Sequence, residues 1–259
     1  MPVDPAETKV VRGVTLRRDP ARESCFEIAH HETEVRSERN YDSVRAVRSM
    51  LHREYNNETQ NAEVAAQMLV DFPDAPWELR MQLARQCWDE TRHARMMLRR
   101  VIELGGQKGE SQIKNGDWSI VCMIDSLPGR LLVQHRLFEG GVLDSFRQVG
   151  NGFRDSGDER TAEIFEVILA DEVQHVRFAN HWLREFSRQP RAVMQMAAAL
   201  TWVSDVFRAM QPKPGDTSLD GVDLASVDHS IAINLADRQR AGFTEAELAD
   251  LIRRDGAEP

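Results

Sequence analysis

The chain has 259 residues, 41% of them hydrophobic, and a formal net charge of -9, enough to bury a substantial core and too acidic to favour a phosphate backbone as partner. A mean hydropathy of -0.49, with no apolar run approaching about 18 residues, excludes a helical membrane span. Met1 is followed by no apolar signal segment and the three cysteines show no paired spacing, so a soluble cytoplasmic protein with reduced thiols is expected.

Residues 1–40 are charged and weakly periodic, with Pro2, Pro5 and Pro20, and read as an N-terminal arm or short strands. Four helices are then expected, at Tyr41 to Asp71, Pro76 to Leu104, Asp125 to Val149 and Asp158 to Phe186, because apolar residues recur three or four apart. Phe72-Pro73-Asp74-Ala75-Pro76 breaks the first pair, with Asp74 as the expected N-cap and Pro76 in the first turn. The run from Gly150 to Asp158 breaks the second, with Gly150 or Gly152 ending one helix and Ser156 or Asp158 capping the next. The long connection from Gly106 to Asp117 suits an up-down bundle with one crossover. A fifth helix is expected at Ala192 to Met210, closing a unit of residues 41–211. Residues 212–259 read as a linker and a short amphipathic helix from Glu245 to Arg253, whose part as lid, oligomer contact or cap stays open.

The chemistry lies in a repeat. Asp89-Glu90-Thr91-Arg92-His93 recurs in outline as Asp171-Glu172-Val173-Gln174-His175. Residues three apart share a helix face, so each Glu and its His can grip one metal ion. A lone Glu-x-x-His is weak evidence: Glu27 and His30 have that spacing without the preceding Asp or a later counterpart, and read as a surface or packing pair. Each repeat also has a carboxylate upstream, Glu58 preceding Glu90 by 32 residues and Glu139 preceding Glu172 by 33. One Glu from each of two helices and Glu-x-x-His from each of two others is the ligand set of di-iron and di-manganese carboxylate bundles.

Turn geometry supports the pairing. Glu58 lies 14 residues before Phe72 and Glu90 lies 14 after Pro76, so both stand about 21 Å from the turn at ~1.5 Å per residue. Glu63, only 9 residues before Phe72, would miss that level by more than one helical turn. In the second hairpin Glu139 is 11 residues from Gly150 and Glu172 is 14 from Asp158, a mismatch of less than one turn that an uncertain boundary absorbs.

From Tyr41 to Ser187 the chain resembles the ferritin-like superfamily, in particular a bacterial branch with a Phe-Pro-Asp-Ala-Pro turn after the first Glu helix. The resemblance rests on Phe72 to Pro76, Asp89 to His93, Arg136 to Asp144 around Glu139, and Asp171 to His175. It implies an all-α, ferritin-like four-helix bundle with added C-terminal helices. It further implies Glu58, Glu90, His93, Glu139, Glu172 and His175 as ligands of two iron ions, or of an iron/manganese pair. Glu90 and Glu172 would face both ions; Glu58 and Glu139 would each hold one.

Asp89 and Asp171 each precede a candidate histidine by four residues, where a carboxylate can accept from an imidazole of its own or the facing helix. Arg92 can offset part of the carboxylate excess. His135, four before Glu139, reads either as a third imidazole ligand or as a core or pocket histidine. Tyr55 reads as an ordinary buried tyrosine, and Cys87 as a core thiol.

Two ferrous ions among carboxylates can reduce dioxygen. The expected activity is therefore that of an oxygen-activating di-iron oxidoreductase, hydroxylating, N-oxygenating or desaturating a small molecule. Electrons would come from a reductase or ferredoxin, since the chain carries no flavin or nicotinamide motif. Ferroxidase or iron-handling activity, tRNA hydroxylation and a non-catalytic interaction protein are the alternatives; a homodimer is compatible, and nucleic acid is disfavoured by charge.

Overall fold

The computed structural model describes residues 7–36, 41, 43–227 and 230–254. Parts of the expected arm (1–6 and 37–40) and the end of the tail (255–259) lie outside the described residues. The protein is mostly helical. Its long elements are α1 (Val44–Asp71) and α2 (Trp77–Glu103), followed after a crossover by α3 (Gly116–Val121), α4 (Leu127–Leu131), a π-helical segment (Leu132–Glu139) and α5 (Gly140–Asp155). Next come α6 (Glu159–Ser187), α7 (Pro190–Met210), α8 (Leu235–Arg240) and α9 (Glu245–Arg254).

The arm contributes strands rather than a loose extension. β1 (Thr8–Val11) and β2 (Val14–Arg17) form an antiparallel hairpin, and β3 (Ile28–Ala29) pairs in parallel with β4 (Ile113–Lys114) of the crossover. Leu16 and Val11 are buried among side chains of α1, α2 and α7, so the hairpin closes one end of the core. Helix α1 lies along α2, α5 along α6, and α2 against α6.

Several boundaries differ from expectation for local reasons. Ser43, not Tyr41, opens α1, its Oγ accepting from the Ala46 N–H at 3.3 Å. Asp74 stands too early to cap α2, whose N-cap is Pro76 without a side-chain bond; instead Arg80 donates to the Leu69 and Phe72 carbonyls (both 3.1 Å), serving the frayed end of α1. Neither Gly150 nor Gly152 ends α5. Gly152 sits inside it because a Cβ there would stand 2.5 Å from the Tyr41 ring, and termination falls to Gly157 at φ +85°. The expected third helix is split by the π segment, and α3 and α8 were not anticipated.

Asp158 does cap α6: it accepts from the Thr161 N–H at 3.0 Å and holds Arg100 through both oxygens at 2.9 and 3.0 Å. Burial raises its pKa, but the Thr161 and Arg100 hydrogen bonds outweigh that and leave it below the usual carboxylate range. Asp158→Ala is expected to cost about 1–2 kcal/mol at neutral pH by urea unfolding. A depressed folded-state pKa contributes above the unfolded value and is lost as pH falls through the folded one. The gap between wild type and variant should accordingly close below about pH 4; a gap that persists in acid would refute the assignment.

Two hydrophobic clusters fill the helical body. One gathers Leu51 of α1, Met97 of α2, Phe153 of α5 and Ile168 of α6. The other gathers Val64 and Met68 of α1, Leu79 and Leu83 of α2, and Leu183 of α6. Along each helix the residues between the clusters are polar, and there the candidate ligands lie.

Candidate metal centre

The polar layer brings together all six proposed ligands. Glu58 comes from α1, Glu90 and His93 from α2, Glu139 from the end of the π segment, and Glu172 and His175 from α6; none is more than 3% exposed. Their donor atoms form two overlapping groups, Glu58, Glu90, His93 and Glu172 in one, Glu90, Glu139, Glu172 and His175 in the other, with all atoms of a group within 4.8 Å of one another. Glu90 and Glu172 belong to both. The imidazole centroids are 6.2 Å apart.

Helical spacing aims each ring. Nδ1 of His93 lies 3.1 Å from Glu90, 3.3 Å from Glu58 and 3.4 Å from Glu172. Nδ1 of His175 lies 3.3 Å from Glu90 and 3.4 Å from Glu172. Neighbouring ligands that share an ion at ~2.1 Å stand about 3 Å apart, so these separations suit a common cation. The other ring nitrogens face away and cross between helices: Nε2 of His93 meets Asp171 at 3.2 Å, and Nε2 of His175 meets Asp89 at 3.5 Å. Each Asp thus serves the histidine of the facing helix, assigning Nε2–H to the Asp and leaving the Nδ1 lone pair for the centre. Arg92 pairs with Asp171, and Arg85 with Asp89 at 3.2 Å.

Orphaned atoms test whether a metal fits. Both oxygens of Glu172, Oε2 of Glu139 and Nδ1 of His175 are buried without a hydrogen-bond partner among the described residues, a costly condition unless another partner supplies the charge. These atoms lie in the shared groups. Carboxylate and imidazole donors without thiolate suit iron, manganese or zinc. Cys87 belongs to neither group, and burial pushes its thiol pKa up. The layer is also rich in acid: with Asp89 and Asp171 it holds six carboxylates beside only Arg85 and Arg92, a charge that a bound cation would offset. The buried Glu and His groups can hold a metal ion.

Electrostatics separates Glu90 from Glu58 and Glu139. Burial drives Glu58 well above the usual range, against its hydrogen bond from His93. Glu139 is raised by burial and then by the Glu172 charge. Glu90 would also be raised by burial, but His175 and His93 outweigh it and hold the carboxyl well below its ordinary value. Burial lowers the pKa of His93, yet its close contacts with the Asp171, Glu172, Glu58 and Glu90 carboxylates overcome that and raise it. His175 is raised likewise, burial being overcome by the Glu172 and Glu90 charges.

Sequence reasoning missed an uncharged layer. Gln86 donates through Nε2 to Glu90 at 3.0 Å and to Glu139 at 2.7 Å. Gln134 donates to Glu139 at 3.2 Å and to Asn61 at 3.0 Å. His135 belongs to neither ligand group: its Nε2 lies 2.8 Å from the Gln86 carbonyl oxygen, and burial pushes its pKa down to about 3. Gln86 precedes Glu90 by one helical turn, the signal that could have found it.

The other tempting residues fall elsewhere. Glu63 is bound by Arg22 at 2.7 and 2.8 Å. Glu27 accepts from Gln112, while His30 lies against Lys9, and neither belongs to a ligand group. Tyr55 stacks on Phe26, with centroids 6.1 Å apart. Among the described residues no helix is long and apolar enough to cross a membrane.

No curated protein and no solved structure matches this chain. A family match does cover residues 5–249, and by it the chain, with its buried carboxylate and histidine layer, belongs to the family described as Protein of unknown function (DUF455).

Proposed function

We propose that the polar layer is a dinuclear metal centre in a ferritin-like four-helix bundle, and that the protein is an oxygen-activating non-haem di-iron oxidoreductase. One observation carries the reading: Glu90 and Glu172 each belong to both ligand groups. Glu58 with His93 then completes one ion's ligands and Glu139 with His175 the other's. Two ferrous ions bound there, or an iron/manganese pair, would supply the electrons that reduce dioxygen.

The chain's own residues do the rest. Asp89 and Asp171 fix the imidazoles. Gln86 and Gln134 hold Glu139, and the two hydrophobic clusters keep water from either end. The substrate is a small molecule, hydroxylated, N-oxygenated or desaturated. In the oxygenations one oxygen atom enters the product and the other leaves as water, taking two protons and two electrons; a reductase or ferredoxin returns the electrons. A cavity of about 740 Å³ bounded by α1 and α5 favours a small organic substrate over iron itself.

Anaerobic ferrous titration tests this. Binding is expected to saturate near two irons per chain, with a transient visible band on admitting oxygen, and His175→Ala should lose both. Loading by hundreds of irons per assembled particle would support storage instead, and an absence of iron binding would overturn the proposal.

A further inference from the structure

The outward side of α2 carries an apolar seam. From Trp77 the spacing alternates between four and three residues, through Met81, Ala84 and Trp88 and on to Leu98 and Ile102. That alternation keeps side chains on the one line along which a helix packs against a second helix. The inner side of α2 is already taken by α1 and α6 and supplies the buried Glu90 and His93. On the seam, by contrast, Trp77 is 68%, Trp88 66%, Ile102 57% and Met81 52% exposed. Single exposed apolar residues are ordinary. Four large ones aligned along a helix of 27 residues, about 40 Å, mark a contact surface.

The charges beside the seam indicate what covers it. Let two copies of α2 cross antiparallel about a two-fold axis level with the space between Asp89 and Glu90. Trp77 then meets the partner's Ile102, Met81 the partner's Leu98, and Trp88 the partner's Thr91, so apolar residues face one another at both ends. Arg95, the one charged position on the seam, falls opposite the partner's Ala84, the smallest; parallel copies would set Arg95 against the partner's Arg95. Glu78, next to Trp77, stands within ~3 Å of the axial level of the partner's Arg99 and on the same flank of the seam. Both are available: Glu78 is exposed and makes no ion pair among the described residues, and Arg99 is tied only to Glu103 of its own helix, at 3.2 Å. An exposed pair one turn apart contributes little. The two-fold axis makes the Glu78–Arg99 contact twice. On the same flank Arg85 comes beside the partner's Arg92, where Asp89 and Asp171 already neutralise the two guanidiniums.

We propose that the protein is a homodimer in which two copies of α2 pack antiparallel along this seam, joined at each end by Glu78 of one copy and Arg99 of the other. The contact stands whether or not the buried layer holds two metals.

Sedimentation equilibrium of the full-length protein tests it. The expected mass is twice 29.5 kDa. Trp88→Glu, which alters a side chain that faces outward, should sediment at the single-chain mass with an unchanged helical circular dichroism spectrum. Glu78→Arg and Arg99→Glu should each weaken the dimer about fivefold or more, and the double variant, which exchanges the two charges, should recover most of that loss. The exchange also keeps the test open should Trp88→Glu not fold. A single-chain mass for the wild type at about 100 µM, a dimer undiminished in Trp88→Glu, or a double variant as weak as the single ones overturns the proposal.

Discussion

Glu90→Gln is expected to lower metal uptake from about two ions per chain to less than one and, in chelator-treated protein, to cost about 3–5 kcal/mol of stability. The first effect follows because Glu90 serves both ligand groups. The second follows because its carboxylate, held well below its usual pKa, is the buried counter-charge to His93 and His175. Removing it leaves two enclosed imidazoliums short of a partner. Glu139→Gln should behave differently. Burial and the Glu172 charge raise that carboxyl, which favours its neutral form in metal-free protein, and Gln keeps the oxygen that accepts from Gln86 and Gln134. Its stability should change by less than about 1 kcal/mol while one of the two ions is lost. Urea unfolding beside equilibrium dialysis reads both quantities, and equal destabilisation by the two variants would contradict this charge assignment.

Asp144→Ala is expected to be as damaging as Glu90→Gln, for a different reason. Asp144 and Arg238 form a buried pair, with Nη2 to Oδ2 at 2.6 Å and Nε to Oδ1 at 3.0 Å, and Asp144 also accepts from the Asn234 N–H at 2.8 Å. Stranding Arg238 should cost about 3–5 kcal/mol. The loss should appear first as faster hydrogen exchange and proteolysis in α8 and α9, because Arg238 and Arg136 both stack on Phe243, which lies between those helices. Arg136 is tied in turn to Asn180 at 2.6 Å and Glu247 at 2.5 Å. The tail is thereby fastened to the segment that carries Glu139. Unchanged exchange in α8 and α9 would refute this.

The helices and the six clustered residues are legible in the sequence because charge and helical period coincide there: an acid and an imidazole three apart, twice, is a pattern that solvent-facing residues rarely repeat. The depth argument worked for Glu58 because the Phe72–Pro76 turn is short. It was looser for Glu139 because Gly150 and Gly152 look like helix breakers, whereas they are packing positions under Phe165 and Tyr41. Gln86, Gln134 and Asn61 were illegible, since uncharged amides at helical spacing resemble any exposed face until burial is known. The cavity was invisible for a deeper reason: its walls come from segments as far apart as Lys9 and Ile231, and no local pattern announces an empty volume.

The π segment has one more consequence. Its wider turns between Leu132 and Glu139 lodge extra backbone within a continuous rod. Trimming a single amino acid there, with every ligand kept, would let the stretch tighten to ordinary pitch and swing Glu139 about 100° relative to everything upstream. The centre depends on a count as well as on identities, so an insertion or deletion in this stretch should be as damaging as the loss of a ligand.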